Sequence, residues 1–415
     1  AIQDAMTLNP TEVNCPLFTG LGQEAIPVGV LYALHKAGIL ESCPVNLDHR
    51  GVWGGFAMLD EYVNDLKKSG TSLIDELLRN HFMSASGGCR GRDGNVHIPI
   101  PVAWNKLLPF ICSDMGRLTG VLGGMVMENM RRVRWRTLPP EERFVGITMI
   151  GDGASNQGAV HEAMVWFARY ELPVICIVNN NQIALFTDPI EEHGNSKLVN
   201  RAFGYGKMKG IEVDGDDVDA VVRAMLYAIK KAQSGVPVFL VANTYRRSGH
   251  NENQIGRVSS ASELKENRNF FDVNRIFGYD EEKLIEFQRA CEREPLIVAR
   301  DFLIQNGYAT LEECNLVFKR EREQSDAAVA RVLTEPKVIV EEDRRDRSMY
   351  PPMIWKSPLE KPVKTNEAGH SMKYFEAFAW ALDQLMTEDT RVCYFGEDVA
   401  SYEGGVLALT KGLVE

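Results

Sequence analysis

Apolar residues recur at helical spacing through "QEAIPVGVLYALHKAG", residues 23–38, and the pattern stops at Gly38. The same periodicity runs through "LDEYVNDLKKSGTSLIDELLRNHFM", with a break at Ser69-Gly70, so residues 22–130 read mainly as helix. Between these stretches "NLDHRGVWGG" is polar and glycine-rich and reads as loop. "SASGGCRGRDGNVHI", residues 84–98, is a longer basic, glycine-rich loop, and loops of that length more often serve function than structure.

From residue 143 the pattern becomes strand, helix, strand. "RFVGITMI" and "LPVICIV" are near-continuous apolar runs, and "SNQGAVHEAMVWFARYE" between them is amphipathic. "DDVDAVVRAMLYAIKKAQSG", residues 216–235, is a further helix with Asp216 or Asp217 as cap, and "PVFLVANTY" a third strand. Apolar strands alternating with helices predict an α/β fold, a parallel sheet covered by helices on both faces. "RRSGHNENQIGRVSSASELKENRN" then reads as a polar loop that would order around a ligand. Helical segments follow to about residue 334.

Residues 341–370 carry a charge run and several prolines and read as an interdomain linker, closing a first domain over 1–340. After it come a helix, "MKYFEAFAWALDQLMTED", a strand, "RVCYFGEDV", and a glycine turn at Gly404-Gly405. At 415 residues the chain is too long for one core and suggests two or three domains. One helix and one strand cannot bury a core, so residues 371–415 read as the incomplete start of a second domain.

Composition changes this picture little. A hydrophobic fraction of 45% and a charged fraction of 25% are ordinary for a globular protein. The net charge of -11 argues against a general nucleic-acid binder. The local basic cluster Met130-Arg131-Arg132-Val133-Arg134 reads as the solvated end of a helix. The eight cysteines (15, 43, 89, 112, 176, 291, 314 and 393) form no Cys-x-x-Cys pair and have no histidine at zinc spacing. That scatter fits a reducing compartment, with the cytoplasm as the expectation, and no apolar run near the central strands is long enough for a bilayer.

The chemistry concentrates in "GDGASNQG" and "VNNNQ". Asp152 falls at the carboxyl end of one parallel strand, where open α/β sheets bind ligands, and Asn181 at the end of the next. In a right-handed βαβ unit those ends lie side by side, so the two can face each other. Gly151 and Gly153 lack side chains, which would let the amides of Gly153 and Ala154 approach an anion, and a helix starting near Ser155 would add its positive end. A carboxylate and an amide oxygen are hard donors suited to Mg2+ or Ca2+ rather than zinc or copper. A nicotinamide Rossmann site fits worse, because the glycine spacing differs and "VNNNQ" stands where an acidic residue belongs. The pair suits a metal diphosphate.

"GDGASNQG" followed by "VNNNQ" resembles the thiamin diphosphate motif. More narrowly, "GLGQEAIPVGVLYAL", "LDHRG", "GGCRGRDGNVHI", "VHEA", "ELP" and "NTYRRSGH" resemble, in order, segments of the α subunit of 2-oxo acid dehydrogenase E1 components. "YFGEDVASYEGGVLALTKGLVE" resembles the start of the β subunit, so the resemblance suggests a fused α/β chain.

The resemblance implies thiamin diphosphate and Mg2+ as cofactors, the metal held by Asp152, Asn181 and the backbone carbonyl of Ile183. Arg50 matches the arginine that grips the diphosphate, with His49 beside it where the family usually has Tyr. His250 matches the loop histidine near the diphosphate and the reacting carbon, and it is followed by Asn251 where the family commonly has a phosphorylatable Ser. His97 matches a further family histidine. Cys112 falls where an apolar side chain wedges the cofactor into its bent form, and Phe110 would offer a carbonyl to its amino group. Glu397 matches a carboxylate near the aminopyrimidine. The glutamate that bonds N1′ lies in the family beyond the "TKGL" segment, and is expected from a continuation of the chain or from another polypeptide.

The implied activity is oxidative decarboxylation of a 2-oxo acid with reductive acyl transfer to a lipoyl-bearing E2 partner, in a homo-oligomer of fused chains or an α2β2-like assembly. Phe18 ahead of "GQEA", where pyruvate-type members often carry His, favours branched-chain substrates over pyruvate. A pyruvate or acetoin dehydrogenase E1, and a non-catalytic cofactor-binding homologue, stand as alternatives.

Overall fold

The computed structural model describes residues 18–70, 72–88, 90, 115–185, 194, 197–247, 250, 292–337, 373–388 and 410. Two compact units are separated, Ala1–Ala184 with Asp188–Lys337, and Leu185–Thr187 with Val338–Glu415.

The first unit is built on a five-stranded, wholly parallel sheet. Its strands are β1 (Val45–Asn46), β2 (Gly146–Gly151), β3 (Val174–Asn180), β4 (Lys209–Asp214) and β5 (Val238–Asn243), in the spatial order β1-β2-β3-β5-β4. Ile147, Thr148, Met149 and Ile150 point alternately to the two faces of the sheet, and all four are fully buried. Both faces are therefore covered, as the sequence pattern predicts.

The helices are α1 (Ala25–Lys36), α2 (Val52–Tyr62), α3 (Asn64–Ser69), α4 (Leu73–His81), α5 (Met115–Arg132), α6 (Gly158–Tyr170), α7 (Val218–Gln233), α8 (Pro295–Gln305) and α9 (Leu311–Leu333). A short turn of helix, Arg201–Gly204, precedes β4. α5 crosses α6 at Gly123, where an added Cβ would lie 2.7 Å from the Phe167 ring, and it meets β2 at Gly146 against Val126. α1 crosses α7 equally closely at Gly29, against Val221. Asp217 caps α7, its Oδ1 accepting from the amides of Asp219 and Ala220 at 2.9 and 3.1 Å.

Three expectations are corrected. The "NLDHRG" stretch is not all loop: Asn46 ends strand β1, and helix α2 begins at Val52. β4 was missed because it is an edge strand whose Lys209, Glu212 and Asp214 give no apolar run. Arg246 and Arg247, at the start of the expected polar loop, are 3% and 1% exposed. Arg131 and Arg132 do end α5 in solvent, both clasping Glu128 at 2.8 Å. Cys43 and Cys176 are fully buried.

α9 docks on α4 through ion pairs. Arg79 reaches Glu335 at 2.9 Å, Ser84 donates to Glu335 at 2.7 Å, and Arg331 reaches Asp75 at 2.7 Å. Leu78, Phe82, Ala328, Val329 and Val332 form a small apolar cluster beneath them. Of the second unit, a helix α10 (Tyr374–Glu388) is described, its first turn receiving the Lys373 amide on Glu376 at 2.8 Å. The linker 341–370 and the strand over 391–399 lie outside the described residues.

Candidate functional site at the carboxyl edge of the sheet

Register brings the two polar clusters together. Gly151 stands opposite Asn179 across β2 and β3, and Asn180 opposite Asn243 across β3 and β5. Asp152 and Asn181 each follow the last residue of adjacent strands, and both are buried, at 2% and 5% exposure. Directly after Asn181, Gln182 has a φ of 61°, in the left-handed region. The Gln182 amide then acts on the Asp152 carboxylate, which joins the clusters directly.

Asp152 Oδ1 accepts the Gly153 amide at 3.0 Å, while Asp152 Oδ2 is buried and has no hydrogen-bond partner. Burial pushes the Asp152 carboxyl up from its ordinary value, opposed by the Gly153 amide and by Arg246. An orphaned carboxylate oxygen at a strand end is what a hard cation would satisfy. Asn181 holds its amide in place from both sides, donating to Gln23 Oε1 at 3.2 Å and accepting the Ile183 amide on Oδ1 at 3.3 Å. Among the described residues no three His, Cys, Asp or Glu side chains gather to hold a metal by themselves. The donors present are one carboxylate with amide and carbonyl oxygens, a set that fits Mg2+ sharing its shell with phosphate oxygens.

The anion-binding expectation at Gly153 changes. Its amide is engaged by Asp152, and residues Gly153–Asn156 form a 3-10 turn with Ala154 packed on the core. Helix α6 starts only at Gly158, so its positive end does not lie at Ser155. Arg201 instead ties down this turn, donating to the Ser155 carbonyl at 2.9 Å.

Arg50, 4% exposed, donates to the carbonyl of Thr19 at 2.9 Å and to the carbonyl of His250 at 2.8 Å. His250 and His49 both meet Phe18 edge-on, with centroids 5.1 and 5.0 Å away, and their own centroids are 6.0 Å apart. Burial, then Arg50 and Arg246, hold His250 down to about 2. The same causes, with His250 added, hold His49 well below the ordinary range. Both imidazoles are therefore neutral, beside two buried guanidinium groups.

Sequence reasoning missed the residues that support this edge. Asp48 accepts from Asn179 at 3.3 Å, linking the "LDHRG" segment to the asparagine run. Gln23 anchors Asn181 and has a buried Nε2 without a partner. Glu24 is pushed up to about 7, chiefly by burial. All lie inside segments quoted for the resemblance. A cavity of about 1120 Å3 opens beside Arg50, lined by Thr19, Glu24 and Trp53 and by residues of α9, while Asp152 and Asn181 stand outside it. Its volume does not mark the metal-type donors, which the strand register does. His97, Phe110, Cys112 and Glu397 lie outside the described residues.

Residues 139–278 match the family described as Dehydrogenase E1 component. Over 251 residues the chain is 29% identical to the acetoin:2,6-dichlorophenolindophenol oxidoreductase α subunit of Bacillus subtilis, covering 59% of this chain and 65% of that one. It is 28% identical over 207 residues to the 3-methyl-2-oxobutanoate dehydrogenase α subunit of Mycobacterium tuberculosis, covering 46% and 56%. It is 28% identical over 325 residues to the mitochondrial pyruvate dehydrogenase E1 α subunit of Solanum tuberosum, covering 78% and 68%. The chain thus spans less than two thirds of the Bacillus and Mycobacterium relatives. On the segment that carries Asp152 and Asn181 the chain is similar to the α subunits of 2-oxo acid dehydrogenase E1 components.

Proposed function

We propose that the chain is the α-type part of an E1 component that binds Mg2+ and thiamin diphosphate and decarboxylates a 2-oxo acid, passing the acyl unit to a lipoyl-bearing E2 partner. The observation that carries this is the buried, orphaned Asp152 Oδ2 beside the anchored Asn181 at adjoining strand ends. Asp152, Asn181 and the Ile183 carbonyl would hold the metal. Arg50 and His250 would face the diphosphate, with the Gly153-Ala154 turn below. When bound, the cofactor's thiazolium supplies an electron sink for decarboxylation. Phe18 would wall the site beside His250 with an apolar ring, which suits a branched aliphatic tail.

The resemblance adds Phe110 and Cys112 at the aminopyrimidine and His97 and Glu397 near the reaction centre. We read residues 371–415 as the start of a β-type half in a homo-oligomeric assembly, and the scattered single cysteines suit a reducing compartment such as the cytoplasm. No described helix is long and apolar enough to cross a membrane. A second reading, an acetoin oxidoreductase, is favoured by the similarity to the Bacillus acetoin:2,6-dichlorophenolindophenol oxidoreductase α subunit.

The test is calorimetric titration with thiamin diphosphate, with and without Mg2+, followed by reduction of an artificial acceptor by the native assembly. Binding that needs Mg2+ and turnover of 3-methyl-2-oxobutanoate in preference to pyruvate and acetoin are expected. Cofactor binding indifferent to Mg2+ would overturn the site, and preference for acetoin would replace the substrate.

A further inference from the structure

His49 is held in a way that His250 is not. Its Nδ1 lies 3.1 Å from the sulfur of Met115, the first residue of α5, and its Nε2 is buried with no hydrogen-bond partner. A thioether sulfur can only accept, and weakly, so Nδ1 carries the proton and donates it. In the neutral ring Nε2 is then a bare lone pair. His250 has the opposite arrangement. Its Nδ1 is 3.4 Å from Arg50 Nη2, a group that can only donate, so Nδ1 accepts and Nε2 carries the N–H. The two rings stand 6.0 Å apart against one phenyl ring, one ready to donate and the other not.

An anion that reached both rings beside Arg50 would meet a donor on His250 and a repelling lone pair on His49, unless His49 first takes a proton. We propose that His49 is a proton-coupled anion-binding residue, whose Nε2 takes up a proton from solvent as a diphosphate binds and then donates it to a phosphate oxygen. The proton comes from the acid form of the buffer, which is left as its conjugate base, no carbon or phosphorus bond changes, and the imidazolium formed is balanced by the incoming negative charge.

Electrostatics support the direction. The groups facing His49 are Arg50, His250 and Arg246, with the neutral Met115 on the α5 side. Burial, then the two arginines, hold the ring toward its neutral form. A bound diphosphate reverses the sign of the local field, and a nearby anion favours the imidazolium. The inference rests on the diphosphate reading of the site, and it concerns this chain's His49 in place of the Tyr usual in that family.

The experiment is titration calorimetry at about pH 7.5 in buffers of differing ionisation enthalpy, using Mg2+ with thiamin diphosphate and, separately, Mg2+ with inorganic pyrophosphate. Wild type should take up about one proton more per bound ligand than His49→Asn, and relative to that variant its affinity should fall by up to about tenfold for each unit that pH rises. Equal proton counts in the two proteins, both binding thiamin diphosphate, would overturn the proposal and leave the cofactor reading standing. Wild type that takes up the extra proton with pyrophosphate but does not bind thiamin diphosphate would sink the cofactor reading and support this one. Binding of neither ligand would end both. Nitrogen NMR of ring-labelled histidine in wild type needs no variant to fold: one ring nitrogen should move from the unprotonated to the protonated range when Mg2+ and pyrophosphate are added. A histidine spectrum without that change would overturn the proposal.

Discussion

Arg50 donates through Nη2 to the backbone carbonyl of His250 across 2.8 Å, although 200 positions separate them in the chain. The guanidinium also holds the Thr19 carbonyl, so it fastens the segment ahead of α1 and the segment after β5 to one point. The bond therefore sets where His250 sits before any ligand arrives.

Replacing Arg50 with Lys tests that point. Lysine keeps the charge but has one donor group, and it cannot bridge two carbonyls with a planar fork. Loss of one charge-assisted contact, at ~1.5–3 kcal/mol, predicts a ~10- to 100-fold weaker affinity for thiamin diphosphate with Mg2+. Fluorescence titration would follow Trp53, which hydrogen-bonds the Phe18 carbonyl nearby. Unchanged affinity would mean that Arg50 serves only to tie the chain segments together.

The central strands and their helices were legible because β2, β3 and β5 are buried on both faces and so read as unbroken apolar runs. Asp152 and Asn181 were legible because strand-end position follows from chain order and handedness. The edge strand β4 was not, since half-exposed residues at a sheet edge leave no apolar signal. Nor was the burial of Arg246 and Arg247, because two adjacent arginines look solvated until long-range partners such as Glu294, 3.9 Å from Arg247, are placed. The 3-10 turn after Asp152 was also hidden. Its cause is local bonding, the Asp152 carboxylate capturing the Gly153 amide and the Ser155 hydroxyl the Asp152 carbonyl, rather than any periodicity.

Asp152→Asn separates binding from folding. The wild-type carboxylate is buried with one oxygen unsatisfied, a cost to the ligand-free fold. The variant removes that charge, so its melting temperature should match or exceed that of wild type. Its Mg2+-dependent cofactor affinity should fall by more than ~10-fold with the loss of a charged ligand. A variant that melts lower and binds normally would assign Asp152 to the fold instead.

Gly22→Ala tests the support beneath Gln23. Gly22 has φ +83°, and an added Cβ would lie 2.8 Å from the Tyr245 carbonyl oxygen, while the Gly22 carbonyl accepts from Thr244 at 2.8 Å. Strain and clash together should cost ~1–3 kcal/mol in urea unfolding. Gly38→Ala is the control, with a similar φ of +72° and nothing within 4 Å of the added atom. It should cost less than Gly22→Ala, and equal losses would show that backbone strain alone acts at both sites.

Glu24 and His81 should pull stability in opposite directions over overlapping pH windows. Burial raises the Glu24 carboxyl from 4.5 to about 7, so the folded protein keeps a proton that the unfolded chain has released. Its contribution to stability therefore declines as pH rises from about 4.5 to about 7. His81 is fully buried, both ring nitrogens lack hydrogen-bond partners, and burial lowers it from 6.5 to about 4. The unfolded chain gains that proton first, so the His81 contribution is complete above about 6.5 and is lost as pH falls toward 4. Each effect is on the order of 2–3 kcal/mol at full extent, so the two largely offset each other between these limits. Single substitutions unmask them. Relative to wild type, Glu24→Gln should gain stability as pH rises through the upper window, and His81→Leu should gain it as pH falls through the lower one. Urea unfolding at intervals from about pH 4.5 to about pH 7.5 reads both slopes, and parallel curves for wild type and His81→Leu would show that the buried ring is not what titrates.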